Sequence, residues 1–564
     1  MRGRIKVLAA MLAVASALVI TSVASSRRAP SESHDLKGAT KRSQEPHTIK
    51  VTPWGPDQTT IDTTKRQLVK NSALLPYLKG KRYRMLSFDF IESAVKSKNS
   101  EPPTRYRATF FDYTSNRAIV AEGSFNTPGV EAFLSTEQPV PSPEEFEAAV
   151  SIVAKDPRFA AAIDDGSLQP YPPMPALADI QLTTDKIERT VTVGLMSKEG
   201  AASNEVVGVN MIRESVLRYE GGAPATSLAT TLNCGVTSAG QATTSSGTAG
   251  QYDLVISRGT EEIWRMTVIR PSASSGNNRS GIELRDVKYR TKSVLARANV
   301  PILNVQYYGN ACGPFRDWSW QEGMFAANGT YVVGGGGSGV MLCTDEPRTV
   351  IDNGTDMGNF RGVAIYDREE VTLVSELNAG WYRYISKWTF SDDGVISPRF
   401  GFAMVTNSCV CLGHIHHAYW RFDFDILGAG NNTVAEFNQA SLKNVEIESM
   451  RARLGPEQYW VVRNSFGTAS VTIRPGPKDG NYDKYGHGDL WLLLNKFPAE
   501  LDDAGLGSGT DAHLNPMLNN ENILNKDIVV WYAAHYVHDH FDSRTQVHGD
   551  GPSLCGPNLI LQGY

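Results

Sequence analysis

Three groups of side chains in this sequence have the types and spacing for chemistry. The first is His414-Ile415-His416, inside a strand-like run ending Tyr419-Trp420-Arg421-Phe422. Residues two apart in a strand point to the same face, so both imidazoles can reach one ion. The second is the C-terminal run Ile528-Val529-Val530-Trp531-Tyr532, which leads into His535, His538 and His540 and can supply a third imidazole. Three neutral imidazoles with open coordination positions suit copper or zinc, and spacing does not choose between them. The third is Cys409-Val410-Cys411, just ahead of His414. Two thiolates there could hold a soft metal, but in an oxidising compartment disulfide pairing is the plainer account. The run Gly334 to Gly337 is no phosphate loop, because no Gly-Lys-Ser follows it and no helix opens after it.

The elements that must carry these residues are mostly strands. Arg84-Met85-Leu86-Ser87-Phe88-Asp89-Phe90 alternates, as does the run from Tyr106 to Phe111, with Pro102-Pro103 between them as a breaker. Ser142-Pro143-Glu144-Glu145 opens a helix, with Ser as N-cap, Pro in the first turn and acids on the positive end of the dipole. Phe146, Ala149, Val150 and Val153 then recur at helical spacing. A further strand pair near 190–219 completes two small α+β modules, expected over 66–140 and 141–234, after a polar linker over 25–65. Residues 235–250, rich in Ser, Thr and Gly, read as a surface loop or linker. Beyond it short alternating strands are separated by Gly, Asn and Asp turns, and helical periodicity is nearly absent. The expected fold class is mainly β, with a large antiparallel sandwich over 235–564.

Length and composition fit this. A chain of 564 residues is too long for one ordinary core. A net charge of −5, spread without blocks, gives no basic face for nucleic acid. Arg2, Arg4 and Lys6 precede an apolar run from Val7 to Ala24, which reads as a signal peptide cleaved after Ala24 and hence a secreted protein. The alternative is an uncleaved membrane anchor. Sequons at Asn278, Asn328, Asn353 and Asn431 fit a glycoprotein, and six cysteines fit disulfides.

Several stretches resemble the copper amine oxidase family, in that family's order, from about residue 70 onward. "VTLVSELNAGWYRYISKWTF" (371–390) resembles the strand carrying the tyrosine that becomes topaquinone, and "HIHHAYWRFDFDILGAGNNTVAEF" resembles the His-x-His strand with its hairpin. "DLWLLLNKFPAELDDAGLG" and "DIVVWYAAHYVH" resemble the closing segment, "GIELRDVKYRTKSVLARANVPILNVQYYGN" the entry to the catalytic domain, and "PSPEEFEAAVSIVAKDPRF" the small domains before it. The resemblance implies copper held by His414, His416 and His538, the last counted seven residues on from Trp531. It makes Tyr382 the quinone precursor and Tyr308, in Tyr-Gly-Asn, the tyrosine that hydrogen-bonds it. Fourteen positions later Glu322 stands where the family has its aspartate base, with Asp317 as competitor. Asp423, Asp425 and Asp527 are the implied calcium ligands, Cys312 and Cys343 the implied loop disulfide, and Cys234, Cys409, Cys411 and Cys555 are left to pair in no fixed way. The implied reaction takes a small primary amine and O2, and the implied assembly is a homodimer.

The chain also departs from the family. Trp381 stands where the family has Asn before the cofactor tyrosine, and Arg383 follows it. Only 32 positions separate Tyr382 from His414, as if a hairpin were missing. "DHFDSRTQVHGDGP" after His538 lacks the family's continuation. These departures set two alternatives beside the amine oxidase. One is a non-catalytic secreted copper protein of the same fold, and the other an oxidase with different copper chemistry that uses the cysteines or Trp381.

Overall fold

The computed structural model describes residues 45–91, 102–136, 138–173, 187–197, 205–218, 234–236, 248–275, 281–307, 315–317, 322–405, 411–438, 440–455, 457–481, 488–497, 499–501, 514–538 and 554–564. The apolar N-terminal run Val7 to Ala24 lies outside them, as do Tyr308, Cys312, Cys409 and His540.

The first small module is a four-stranded antiparallel meander, Tyr83–Ile91, Arg105–Asp112, Arg117–Ser124 and Val130–Ser135. Its inward side chains, Phe88, Tyr106, Phe110 and Ile119, close on Ile61 and Leu68 of the helix Gln58–Leu68. The second is another four-stranded meander, from Leu168–Tyr171 to Ser215–Leu217, covered by the helix Pro143–Val153. That helix starts as its sequence dictates: Ser142 accepts a hydrogen bond from the Glu145 N–H at 3.1 Å, and Ala149 and Val153 face the sheet.

The expectation of a linker through residue 65 is corrected. His47–Pro53 is a strand paired antiparallel with Gln251–Arg258 of the large sandwich, and Gln58–Leu68 is helical. Polar composition misled because an edge strand and a surface helix each expose one side to water.

The sandwich consists of a 10-stranded and a 12-stranded sheet. In the first, Lys292–Tyr307, His414–Phe424, Ile528–His538 and Leu490–Leu494 lie side by side. In the second, Arg361–Asp367, Val371–Ala379, Tyr382–Phe390 and Val395–Met404 form a continuous antiparallel run. The inner faces share one core that includes Leu303, Val305, Leu377, Tyr384, Phe402, Trp420 and Tyr532. At roughly 25 cal/mol per Å² of apolar surface removed from water, this core is the main favourable term holding the two sheets together. Of the positions between Tyr382 and His414, those up to Met404 form a tight hairpin: Phe390 pairs with Ile396 across a turn at 391–394, and the return strand runs to Met404. No helix among the described residues is long and apolar enough to cross a membrane.

Candidate metal centre

Strand register builds the site. Tyr307, His414 and His538 stand in one row across three neighbouring strands, and His416 is two positions along the middle one. Side chains opposite one another in a ladder share a face. The period of two therefore turns His414, His416 and His538 inward, and sends His417 and His535 to the reverse face.

His414, His416 and His538 are all buried, and each offers a ring nitrogen within 4.8 Å of the others. The His414 Nδ1 sits 2.6 Å from the Leu412 carbonyl, which can only accept, so Nδ1 carries the proton and Nε2 keeps its lone pair. That Nε2 faces the His538 Nδ1 at 2.9 Å. His416 decides whether a metal fits. Its ring is 1% exposed, and neither nitrogen has a hydrogen-bond partner among the described residues. A buried imidazole without partners carries a desolvation cost that a metal would offset. Burial, then the neighbouring His538, pushes His414 down to about 3, and burial pushes His538 down to about 4. Burial, then His414 and His538, holds His416 well below its ordinary value. All three are neutral at physiological pH, the form that ligates.

Tyr382 comes from the opposite sheet. Its ring centroid is 4.7 Å from that of His416 and 5.8 Å from that of His414, and it is 1% exposed. The tyrosine that meets its hydroxyl is Tyr307, which hydrogen-bonds the Tyr382 oxygen directly. Tyr307 was not among the residues expected here, and Tyr308 lies outside the described residues. Parity was the available signal, because Leu303 and Val305 already mark odd positions of that strand as inward. Trp381 does not leave the site untended either. Its indole N–H donates to the Tyr307 hydroxyl at 2.8 Å, and its ring packs against Tyr171 at 5.3 Å. Arg383 points to the other face, bidentate to Asp356 at 2.7 and 2.9 Å.

Glu322 is buried and paired with Arg270: Nε donates at 2.8 Å, and Nη2 makes a second bond to the other oxygen. Ser272 N–H donates at 3.2 Å. Burial works to raise the carboxyl, but Arg270 and then these hydrogen bonds outweigh it and hold it below its ordinary value. Such a carboxylate is a weak base. Asp317 ends the strand Phe315–Asp317, opposite Leu303. At the far ends of the strands His414–Phe424 and Ile528–His538, Asp423, Asp425 and Asp527 bring carboxylate oxygens within 4.8 Å of one another, with Asn495 bridging Asp423 at 3.1 Å and Asp527 at 3.2 Å. His535 does not join the triad: it meets His417 at 2.6 Å and the Gly488 carbonyl at 3.0 Å.

The expected Cys312–Cys343 bridge is corrected. Cys343 is a free thiol, and the disulfide among the described residues joins Cys234 to Cys411. Cys555 is also free and buried.

This architecture is that of the copper-containing amine oxidases. A copper-containing benzylamine oxidase from Hansenula polymorpha superposes with a TM-score of 0.53 at 13% identity, covering 91% of this chain and 98% of that one. A lysyl oxidase from Pichia pastoris gives 0.56 at 12% identity, covering 91% and 90%. An amine oxidase from Aspergillus nidulans gives 0.51 at 13% identity, covering 92% and 90%. No protein-family model and no curated protein sequence matches.

Proposed function

We propose that the protein is a secreted copper-dependent primary amine oxidase, converting RCH2NH2, O2 and H2O to RCHO, NH3 and H2O2. The observation that carries this reading is the Tyr382 ring lying against His416, whose two buried nitrogens have no partner among the described residues. His414, His416 and His538 would hold copper, which with O2 would supply the redox chemistry for turning Tyr382 into an amine-reactive quinone. The chain's own residues prepare that chemistry. Tyr307, backed by Trp381, fixes the Tyr382 hydroxyl, and the apolar inner faces exclude water from it.

The base assignment moves to Asp317, because Glu322 is engaged with Arg270. Asp423, Asp425 and Asp527, an all-oxygen set suited to a hard cation, are proposed to hold calcium. The Cys234–Cys411 disulfide supports an oxidising, extracellular setting.

A non-catalytic copper protein is the second reading. It is favoured by Trp381 and Arg383 flanking a deeply buried Tyr382. One experiment separates the two. Copper-free protein is given copper and oxygen, then followed by visible absorbance, phenylhydrazine labelling and mass spectrometry of the Tyr382 peptide. A quinone band that Tyr382→Phe abolishes is expected. Unmodified tyrosine in fully loaded protein would overturn the amine oxidase reading and favour the non-catalytic one. Replacing His414, His416 or His538 by Ala should each abolish stoichiometric copper, while His535→Ala retains it; the reverse pattern at 535 and 538 would move the third ligand.

A further inference from the structure

We propose that the strap Cys234–Val236, locked by the Cys234–Cys411 disulfide, is a positioning device that aims His414 at the metal and fixes the gap between the metal-bearing strand and Tyr382. This rests on the histidine triad being a metal centre, and assigns a role to residues outside it.

The strap stitches the two sheets together at the edge of the site. On one side it joins the end of the 12-stranded sheet: Val236 N–H donates to the Met404 carbonyl at 2.9 Å, and Val236 bridges Val405 in parallel. Met404 is the ladder partner of Tyr382, and Val405 N–H donates to the Trp381 carbonyl at 2.8 Å. On the other side the disulfide reaches Cys411, three positions ahead of His414, where the metal strand of the 10-stranded sheet begins. Between them Leu412 supplies the carbonyl that accepts the His414 Nδ1–H at 2.6 Å. A carbonyl in that place sets the tautomer and the ring angle of a ligand histidine, and losing such a partner costs metal affinity. Gly235 makes the close approach work. Its φ is +98°, and a Cβ there would lie 2.8 Å from the Met404 oxygen and the Val405 carbonyl. The covalent link is therefore anchored within one residue of a backbone contact that only glycine permits.

No such link could be read from composition, since Cys234 and Cys411 are 177 residues apart. Its position differs from a general stabilising staple. A cross-link elsewhere would raise overall stability without touching His414, whereas this one ends next to the residue that orients it.

The test uses the full mature protein and two metal probes, Cu(II) and Co(II). Dissociation constants come from chelator competition, and site geometry from copper EPR and the cobalt visible spectrum. The double variant Cys234→Ser/Cys411→Ser removes the link, and Gly235→Ala displaces the strap while leaving both cysteines. Cys343→Ser is the control. Each of the first two should weaken metal binding about 10–100-fold and shift or broaden both spectra, while the control matches wild type. Folding is checked by far-ultraviolet circular dichroism. Should the double variant not fold, Gly235→Ala decides alone. Wild-type affinity and spectra in a folded variant would overturn the proposal. Wild-type protein that binds neither ion would instead remove the metal centre itself, and the proposal with it, a distinguishable result.

Discussion

Glu376 shows how a single residue can set a pH dependence. It lies on the outward side of the strand carrying it, fully buried, with one oxygen accepting the Val350 N–H at 2.8 Å and the other unpartnered among the described residues. Burial pushes its carboxyl up to about 8; the Val350 N–H and Arg383 oppose this, while Asp356 and Asp352 add to it. The folded protein thus holds a proton that the unfolded chain releases near 4.5. Linkage gives the sign: the contribution is fully present below that ordinary value and is lost as pH rises through about 8. Melting temperature should fall between pH 5 and 8 with about one proton of linkage. Glu376→Gln should flatten that slope in thermal melts, and an unchanged slope would show that another group sets it.

Among the elements, the helix Pro143–Val153 is held to its sheet by more than its apolar face. Glu145, a buried residue of its first turn, takes two hydrogen bonds of 2.6 Å from Arg189 and one of 2.7 Å from the Tyr113 hydroxyl. Arg189 also donates to the Pro139 carbonyl at 2.9 Å and lies over the Phe111 ring. The cluster joins the two small modules, since Phe111 and Tyr113 belong to the first. Removing one partner of a buried pair strands the other charge, which costs about 3–5 kcal/mol. Glu145→Ala should lower unfolding free energy by that amount in denaturant melts. A cost of only a few tenths would mean that Arg189 finds another partner.

For the whole molecule, the large sheets and one hairpin turn bear on how copies assemble. Among the described residues the two large sheets hold 10 and 12 strands, while the turn at 391–394 closes the hairpin of Tyr382–Phe390 and Val395–Met404 directly. A flat homodimer face is proposed to survive, with one embracing arm missing. An obligate interface is large and apolar, so trimming an arm weakens it without abolishing it. Sedimentation across a dilution series of mature, deglycosylated protein should show a dimer that dissociates at low concentration. A monomer at every concentration would refute it.

The sequence by itself determined the local chemistry and the class of fold. His-x-His in an alternating run fixed two imidazoles on one face, because strand periodicity is a property of the backbone. Ser142-Pro143 fixed a helix start, because a side-chain acceptor for the first free N–H groups is a local need. Alternation with Gly and Asn turns fixed a β-sandwich. Only the tertiary structure decided the rest. That Tyr307 meets the Tyr382 hydroxyl follows from ladder register, which one residue of slip inverts. Glu322 was reached by counting along the chain, and its pairing with Arg270, 52 residues away in sequence, belongs to the fold. The strand His47–Pro53 gains its meaning from a partner some 200 residues later, and Cys411 found Cys234 rather than a neighbour. The physical reason is common to all of these: pairing across sheets depends on which distant strands share an edge, and no local preference encodes that.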